Sequence, residues 1–303
     1  MIFSVHIPVL LNEVIEYLNL KPGDNFIDCT IGEGGHSFAI WEKIKPNGKI
    51  LGIDWDEKII ERLELNDKRQ EVGENLILEN DNYGNLKNIV EKHNFEPVNG
   101  ILLDLGMSSW DVEESGRGFS FLKDEALDMR YSQKQALTAK EIVNYWPEDD
   151  LENIFKEYGE EKWARKIAGR IIEARKEEKI ITTKKLVDVI GSAIPFRFRD
   201  RRIHFATRVF QALRIATNGE IENLKKGLAS AAEILFPGGK IAAISFHSLE
   251  DRVVKNFFRD KGKERILKIL TKKPIAATEE EISLNPRSRS AKLRVAEKLA
   301  NSQ

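Results

Sequence analysis

The segment Asp28-Cys29-Thr30-Ile31-Gly32-Glu33-Gly34-Gly35-His36 joins an apolar stretch to a helical one through a glycine-rich turn. Turns of this kind let the backbone approach a ligand closely at the end of a strand. A dinucleotide fingerprint, G-x-G-x-x-G, would need a further glycine at position 37, where Ser37 stands. Asp28, ending the expected strand, would repel a pyrophosphate but attract a ligand with an ammonium and a sulfonium. The pattern therefore favours S-adenosylmethionine over NAD, with Gly34 and Gly35 in the binding loop. His36, opening the helix, would lie beside the methionine end. A tight glycine turn without a ligand is the alternative.

Further acidic residues fall at the ends of later apolar runs. Asp54 lies twenty residues beyond Gly34, where a carboxylate can accept both hydroxyls of an adenosine ribose. Trp55 and Tyr83 can line a base pocket or pack as half-buried aromatics. Asp104, in Leu102-Leu103-Asp104-Leu105-Gly106, can contact the donor or accept an N–H from an amino group being methylated. Holding the amine by its hydrogens turns the nitrogen lone pair toward the methyl carbon, an alignment role more than a strong-base role. An aspartate capping the following turn is the structural alternative. His247, in Ser245-Phe246-His247-Ser248-Leu249-Glu250-Asp251, can touch substrate or move a proton. Equally, the segment reads as a helix start capped by Ser248 with Asp251 three residues on. His6, His93 and His204 are scattered, Cys29 is the only cysteine, and no metal site is expected.

Strand and helix patterns alternate through the first hundred residues. Strands are expected at 25–30, 49–54, 74–79 and 100–105, with helices at 9–20, 36–44, 56–65 and 84–93. This order implies a parallel sheet covered on both faces. From about Asp111 to Arg214 only helical spacing appears, over 148–158, 161–176, 183–190 and 204–215. A helix over 220–235 and a strand over 240–246 then restore the rhythm. The expected organisation is one α/β domain split by an all-helical insertion: 1–110, 111–214 and 215–303.

Lys plus Arg number 48 against 49 Asp plus Glu, a formal net charge of −1 over 303 residues. The balance excludes a uniformly basic coat, so nucleic-acid contact requires local patches. Two exist. Pro195–Arg208 holds Arg197, Arg199, Arg201, Arg202 and Arg208 with Phe196, Phe198 and Phe205 interleaved, and Arg287–Arg294 includes Arg289. Arginine with aromatics suits phosphate contact and base stacking, although a charge run is also an ordinary solvated face. No apolar run approaches the roughly 20 residues that span a bilayer, and no secretion signal is evident, so the cytoplasm is expected.

The chain as a whole resembles the bacterial MraW-type family of S-adenosylmethionine-dependent methyltransferases. The resemblance rests on HIPVLL (6–11), DCTIGEGGHS (28–37), GIDWD (52–56), LLDLGMSS (102–109), SGRGFSF (115–121), LDMR (127–130), HFATRVFQALRIATN (204–218), FPGGK (236–240), ISFHSLEDRVVK (244–255) and NPRSRSAKLR (285–294). It implies a Rossmann-like class I methyltransferase fold with a doubly wound, mostly parallel sheet. It also implies methylation of a cytosine N4 in the decoding region of 16S rRNA, within the small ribosomal subunit. On this resemblance Gly34, Gly35, His36, Asp54, Tyr83 and Asp104 match donor-binding positions. Trp110 and Asp111 stand where the family has proline and a donor-binding glutamine, so Asp111 is a candidate contact with altered chemistry. The helical insertion is expected to help recognise RNA. Against an amino-methyltransferase of DNA, the fourth strand carries DLGMSS and not a D/N/S-P-P-Y/F segment. The oligomeric state is left open, a homodimer included.

Overall fold

The structure is a computed structural model that describes residues 8–198 and 203–300. It forms two compact units, Met1–Gly106 with Ile221–Gln303, and Met107–Glu220. The second unit begins and ends slightly outside the expected 111–214, in part because the helix expected to stop at 215 continues to Asn218.

The chain opens with α1 (Leu11–Leu18), β1 (Asn25–Asp28), α2 (Gly35–Ile44), β2 (Lys49–Asp54), α3 (Glu57–Glu64), α4 (Asp67–Val72), β3 (Leu76–Asn80), α5 (Leu86–His93) and β4 (Val98–Asp104). The second unit carries α6 (Ser109–Glu113), α7 (Ala139–Tyr145), α8 (Glu148–Glu157), α9 (Ala164–Glu177), α10 (Thr183–Ala193) and α11 (Thr207–Asn218). The chain then continues through α12 (Glu220–Ile234), β5 (Leu235–Ser245), α13 (Ser248–Lys263), β6 (Leu267–Ile269), β7 (Ile275–Ala276), α14 (Glu279–Leu284) and β8 (Lys292–Lys298).

The first unit is built on one sheet ordered β3-β2-β1-β4-β5-β8-β6, with β7 also pairing β8. β1 to β5 run parallel, whereas β8 is antiparallel to β5, β6 and β7. This is the doubly wound α/β fold. Successive strand residues point to opposite faces, so each strand feeds two cores. Phe26, Ile50, Leu102 and Ile244 pack with Val14 of α1 and Ile40 of α2. Ile27, Leu51, Ile101 and Ala243 pack with Ile89 of α5, Leu228 of α12 and Val254 of α13. Burial on both sides explains why these strands read as continuous apolar runs and not as alternation.

The second unit has a core of its own, in which Ile142, Leu151, Phe155, Ile167, Ile171, Leu186, Ile190 and Leu213 are almost wholly buried. Among the described residues it contains no strand longer than the isolated bridge between Ala126 and Thr182. α7, not anticipated from sequence, starts at a reciprocal cap: Thr138 Oγ1 accepts from Glu141 N, and Glu141 accepts from Thr138 N. Among the described residues no helix is long and apolar enough to cross a membrane.

Candidate active site

Parallel pairing puts the C-terminal ends of β1, β2, β4 and β5 along one side of the sheet, where Asp28, Asp54 and Asp104 end their strands. Asp28 ends β1 and is buried. Its Oδ1 accepts from Thr30 N at 3.2 Å and its Oδ2 from Ser37 Oγ at 2.7 Å. Ser37, where a third fingerprint glycine would stand, thus ties the first turn of α2 to the strand. Burial still outweighs these bonds and raises the Asp28 carboxyl to about 6. Gly34 precedes α2 with φ 80°, and a Cβ there would lie 2.5 Å from the Phe38 ring. Only glycine suits that turn.

Asp54 ends β2 and holds the loop from the other side. Its Oδ2 accepts from Gly32 N at 3.1 Å and its Oδ1 from Asp56 N at 2.9 Å. Tyr83 follows β3 in a short 3₁₀ turn, half-buried against the core, and its ring fills the space that a Cβ on Gly227 of α12 would need.

Asp104 ends β4 beside Asp28. Its amide donates to Thr30 Oγ1 at 2.7 Å, so one threonine engages both acidic strand ends. Carboxylate Oδ1 of Asp104 is sealed from solvent and has no hydrogen-bond partner. Its Oδ2 lies 3.6 Å from His36 Nδ1. Burial, reinforced by the charges of Asp28 and Glu250, holds the Asp104 carboxyl well above the usual carboxylate range. His36 is buried, and its Nε2 sits 3.0 Å from the Val9 carbonyl oxygen.

After β5 the helix start is displaced by one residue from the expected one. His247, not Ser248, caps α13: its Nδ1 accepts from Glu250 N at 3.4 Å, and Glu250 Oε2 accepts from Phe246 N at 3.0 Å. His247 Nε2 lies 3.1 Å from Glu250 Oε1, close enough for an ion pair though not aligned as a hydrogen bond. Asp251, the residue expected to complete the cap, instead pairs with Arg294 at 2.6 and 3.2 Å. Glu250 was not anticipated as a site residue, although an acid three positions after a capping residue is its local signal.

In the second unit Asp111 is buried, with both carboxylate oxygens engaged. Oδ2 accepts from Ser108 N and Oγ at 2.9 and 2.7 Å, and Oδ1 pairs with Arg117 at 3.0 Å. The basic segment of this unit is only partly described, since Arg199, Arg201 and Arg202 lie outside the described residues. Arg197 is exposed and its guanidinium stacks 4.7 Å from the Phe198 ring centroid. The Phe198 ring in turn meets Trp163 at 5.4 Å, over which Lys166 sits at 4.7 Å. Phe196 is 86% exposed. Phe205 departs from the expectation of an exposed stacking residue, because it packs half-buried against the core and against His204. Arg208 donates to the Glu160 carbonyl at 2.9 Å. In the C-terminal patch Arg289 is exposed, whereas Arg294 is buried in its pair with Asp251 and leaves the patch.

Comparison with known proteins extends this picture. A protein of Dictyoglomus thermophilum is 47% identical over 300 residues, covering 99% of this chain and 98% of the relative. One of Desulfotalea psychrophila is 45% identical over 296 residues, with 98% and 99% covered. One of Sulfurihydrogenibium is 45% identical over 294 residues, with 97% and 99% covered. All three are named ribosomal RNA small subunit methyltransferase H. The profile of the MraW methylase family matches residues 3–299. The chain belongs to the MraW methylase family, and S-adenosylmethionine is its methyl donor.

Proposed function

We propose that the protein methylates the exocyclic N4 of a cytosine in the decoding region of 16S rRNA, acting on the small ribosomal subunit in the cytoplasm. The observation that carries the reading is the Asp104 carboxylate. Its Oδ1 is sealed without a partner, and it stands beside Asp28; burial favours its protonated form, and an approaching cationic donor would favour the carboxylate that can then hold the donor and an amine. The relatives' names, which specify small-subunit rRNA, support the substrate class.

The residues present fit the donor. An unpartnered carboxylate oxygen and two buried carboxyls, whose ionised forms an arriving cation would favour, suit the donor. At Gly32, with φ 54°, a Cβ would meet only the Thr30 carbonyl oxygen at 3.8 Å, so the turn is open on that side. S-adenosylmethionine, when bound, supplies a methyl group already activated by its sulfonium. Asp28 and Asp104 would hold the cationic end, with His36 beside them. Asp54, at the C-terminal end of β2, would take the ribose hydroxyls. Gly34 and Gly35 would form the loop, and Tyr83 would border the base.

Asp104 would also accept an N–H of the target amine, directing the nitrogen lone pair at the methyl carbon. His247 is a candidate substrate contact, and to receive the proton released its Nδ1 would have to give up the Glu250 N–H. The second unit is the proposed RNA-recognition element, with Arg197, Arg199, Arg201 and Arg202 as candidate RNA contacts and Arg289 on the first unit. Asp111 already has its oxygens engaged, so its role as a donor contact would require rearranging the Arg117 pair. The test is methyl transfer from labelled donor to small subunits isolated from cells lacking the enzyme, followed by nucleoside mass spectrometry. Label in the exocyclic amine of cytidine is expected. Label only on a ring carbon, a ribose oxygen or protein would overturn the reading.

A further inference from the structure

The start of the described chain folds over the donor loop and is fastened there by the far end of the sequence. Pro8 lies against the first turn of α2, where a Cβ on Gly35 would come within 2.5 Å of its Cγ. The Val9 carbonyl oxygen meets His36 Nε2 at 3.0 Å. Leu10 then takes φ 54° and ψ 35°, a left-handed conformation that a non-glycine residue keeps only when its surroundings impose it. Two things impose it. The Leu10 side chain is wholly buried, and its N–H donates to Glu281 Oε1 at 2.7 Å. Glu281 is itself set in place on α14, because its amide donates to the capping Thr278 Oγ1 at 3.2 Å.

This chain of contacts has a chemical result at the ring. A carbonyl oxygen only accepts, so the bond to Val9 puts the His36 hydrogen on Nε2. In the neutral ring Nδ1 is then an acceptor 3.6 Å from Asp104 Oδ2, an arrangement that suits the protonated form of that carboxyl, which burial favours.

We propose that Glu281 is a positioning residue: it holds Leu10 in its left-handed turn and thereby fixes the Val9 carbonyl that sets the tautomer and plane of His36 opposite Asp104. Its effect on donor binding rests on the reading of His36 and Asp104 given above, whereas its effect on the His36 ring does not. Nothing in the local sequence signals the bond, since its partners are 271 residues apart.

The test uses the full-length protein with ¹⁵N-labelled histidine, free of donor, in wild type and in Glu281→Ala, Glu281→Gln and Glu280→Ala. Glu280 is exposed on the same helix turn and controls for lost charge. The glutamine keeps a carbonyl oxygen that can accept from Leu10. Wild type, Glu281→Gln and Glu280→Ala are expected to show His36 as the Nε2–H tautomer, and Glu281→Ala a mixture of tautomers. Donor affinity by calorimetry should fall about fivefold in Glu281→Ala alone, the equivalent of one neutral hydrogen bond. Unchanged His36 resonances in Glu281→Ala overturn the proposal, as does a glutamine variant that behaves like the alanine. An altered tautomer with unaltered donor affinity upholds the clasp and refutes the donor-site reading of His36.

Discussion

Replacing Asp28 by Asn should make the donor-free protein more stable at neutral pH while weakening its hold on the donor. Asp28 is 2% exposed, and burial raises its carboxyl from 3.8 to about 6. A group whose carboxyl is raised on folding contributes stability below its unfolded value and loses it as pH climbs through the folded one. The displacement from 3.8 to about 6 corresponds to about 3 kcal/mol, lost by the wild type between about pH 4 and pH 7. Asparagine cannot ionise, yet it can accept from Thr30 N and donate to Ser37 Oγ. It also removes one of the charges that push Asp104 upward, which acts in the same direction. The difference in unfolding free energy between variant and wild type should therefore grow from near zero at pH 4 to about 3 kcal/mol at pH 7. Urea denaturation at half-unit pH steps measures it. In parallel, donor affinity of the wild type should strengthen as pH rises through about 6, because a cation favours the carboxylate, and that dependence should shrink in the variant. A stability difference that stays flat with pH would refute the claim that a buried carboxylate is kept at the strand end at a cost to the fold.

Gly34→Ala should lower stability by at least about 2 kcal/mol and abolish donor binding, since it combines φ 80° with a 2.5 Å contact to the Phe38 ring; thermal melts and calorimetry read both. Arg294→Met should cost about 2 kcal/mol by leaving Asp251 with only Lys292, 3.7 Å away, and should leave donor affinity unchanged. Phe196→Ala, at a side chain 86% exposed, should leave the melting temperature unchanged but weaken binding to single-stranded rRNA fragments about tenfold, as expected for one lost stacking contact.

The parts of the molecule legible in its sequence are those governed by neighbours in the chain. β2 lies where KILGID placed it, and β1 and β4 fall within two residues of expectation, because buried parallel strands flanked by glycine and proline turns carry their signal locally. The acids Asp28, Asp54 and Asp104 were visible for the same reason, each being the polar residue that ends an apolar run. What stayed hidden depends on partners far away. Arg294 reads as one of a row of surface cations, and only the pairing of β8 beside α13 turns it inward to Asp251. The short β6 and β7 have too few residues to show a period, and they exist because β8 offers them an edge. The cap of α13 is expected at Ser248 because serine is the commoner cap, whereas an imidazole nitrogen of His247 performs it. Trp163 and Lys166 joined the aromatic cluster only through the fold.

The pairing of β4 with β5 has a consequence for how the protein is made. β4 is a central strand, buried on both faces, and the neighbour that completes it begins at Leu235 and pairs continuously only from Lys240. At a synthesis rate of 5–20 residues per second, the intervening stretch of about 130 residues takes on the order of ten seconds to emerge. For that interval one side of Gly100-Ile101-Leu102-Leu103 is an open hydrogen-bonding edge of apolar residues on a growing chain. The helical unit has a core of its own to form meanwhile. An enzyme assembled this way carries an unpaired apolar strand edge through one defined interval of its synthesis, between residues 104 and 240.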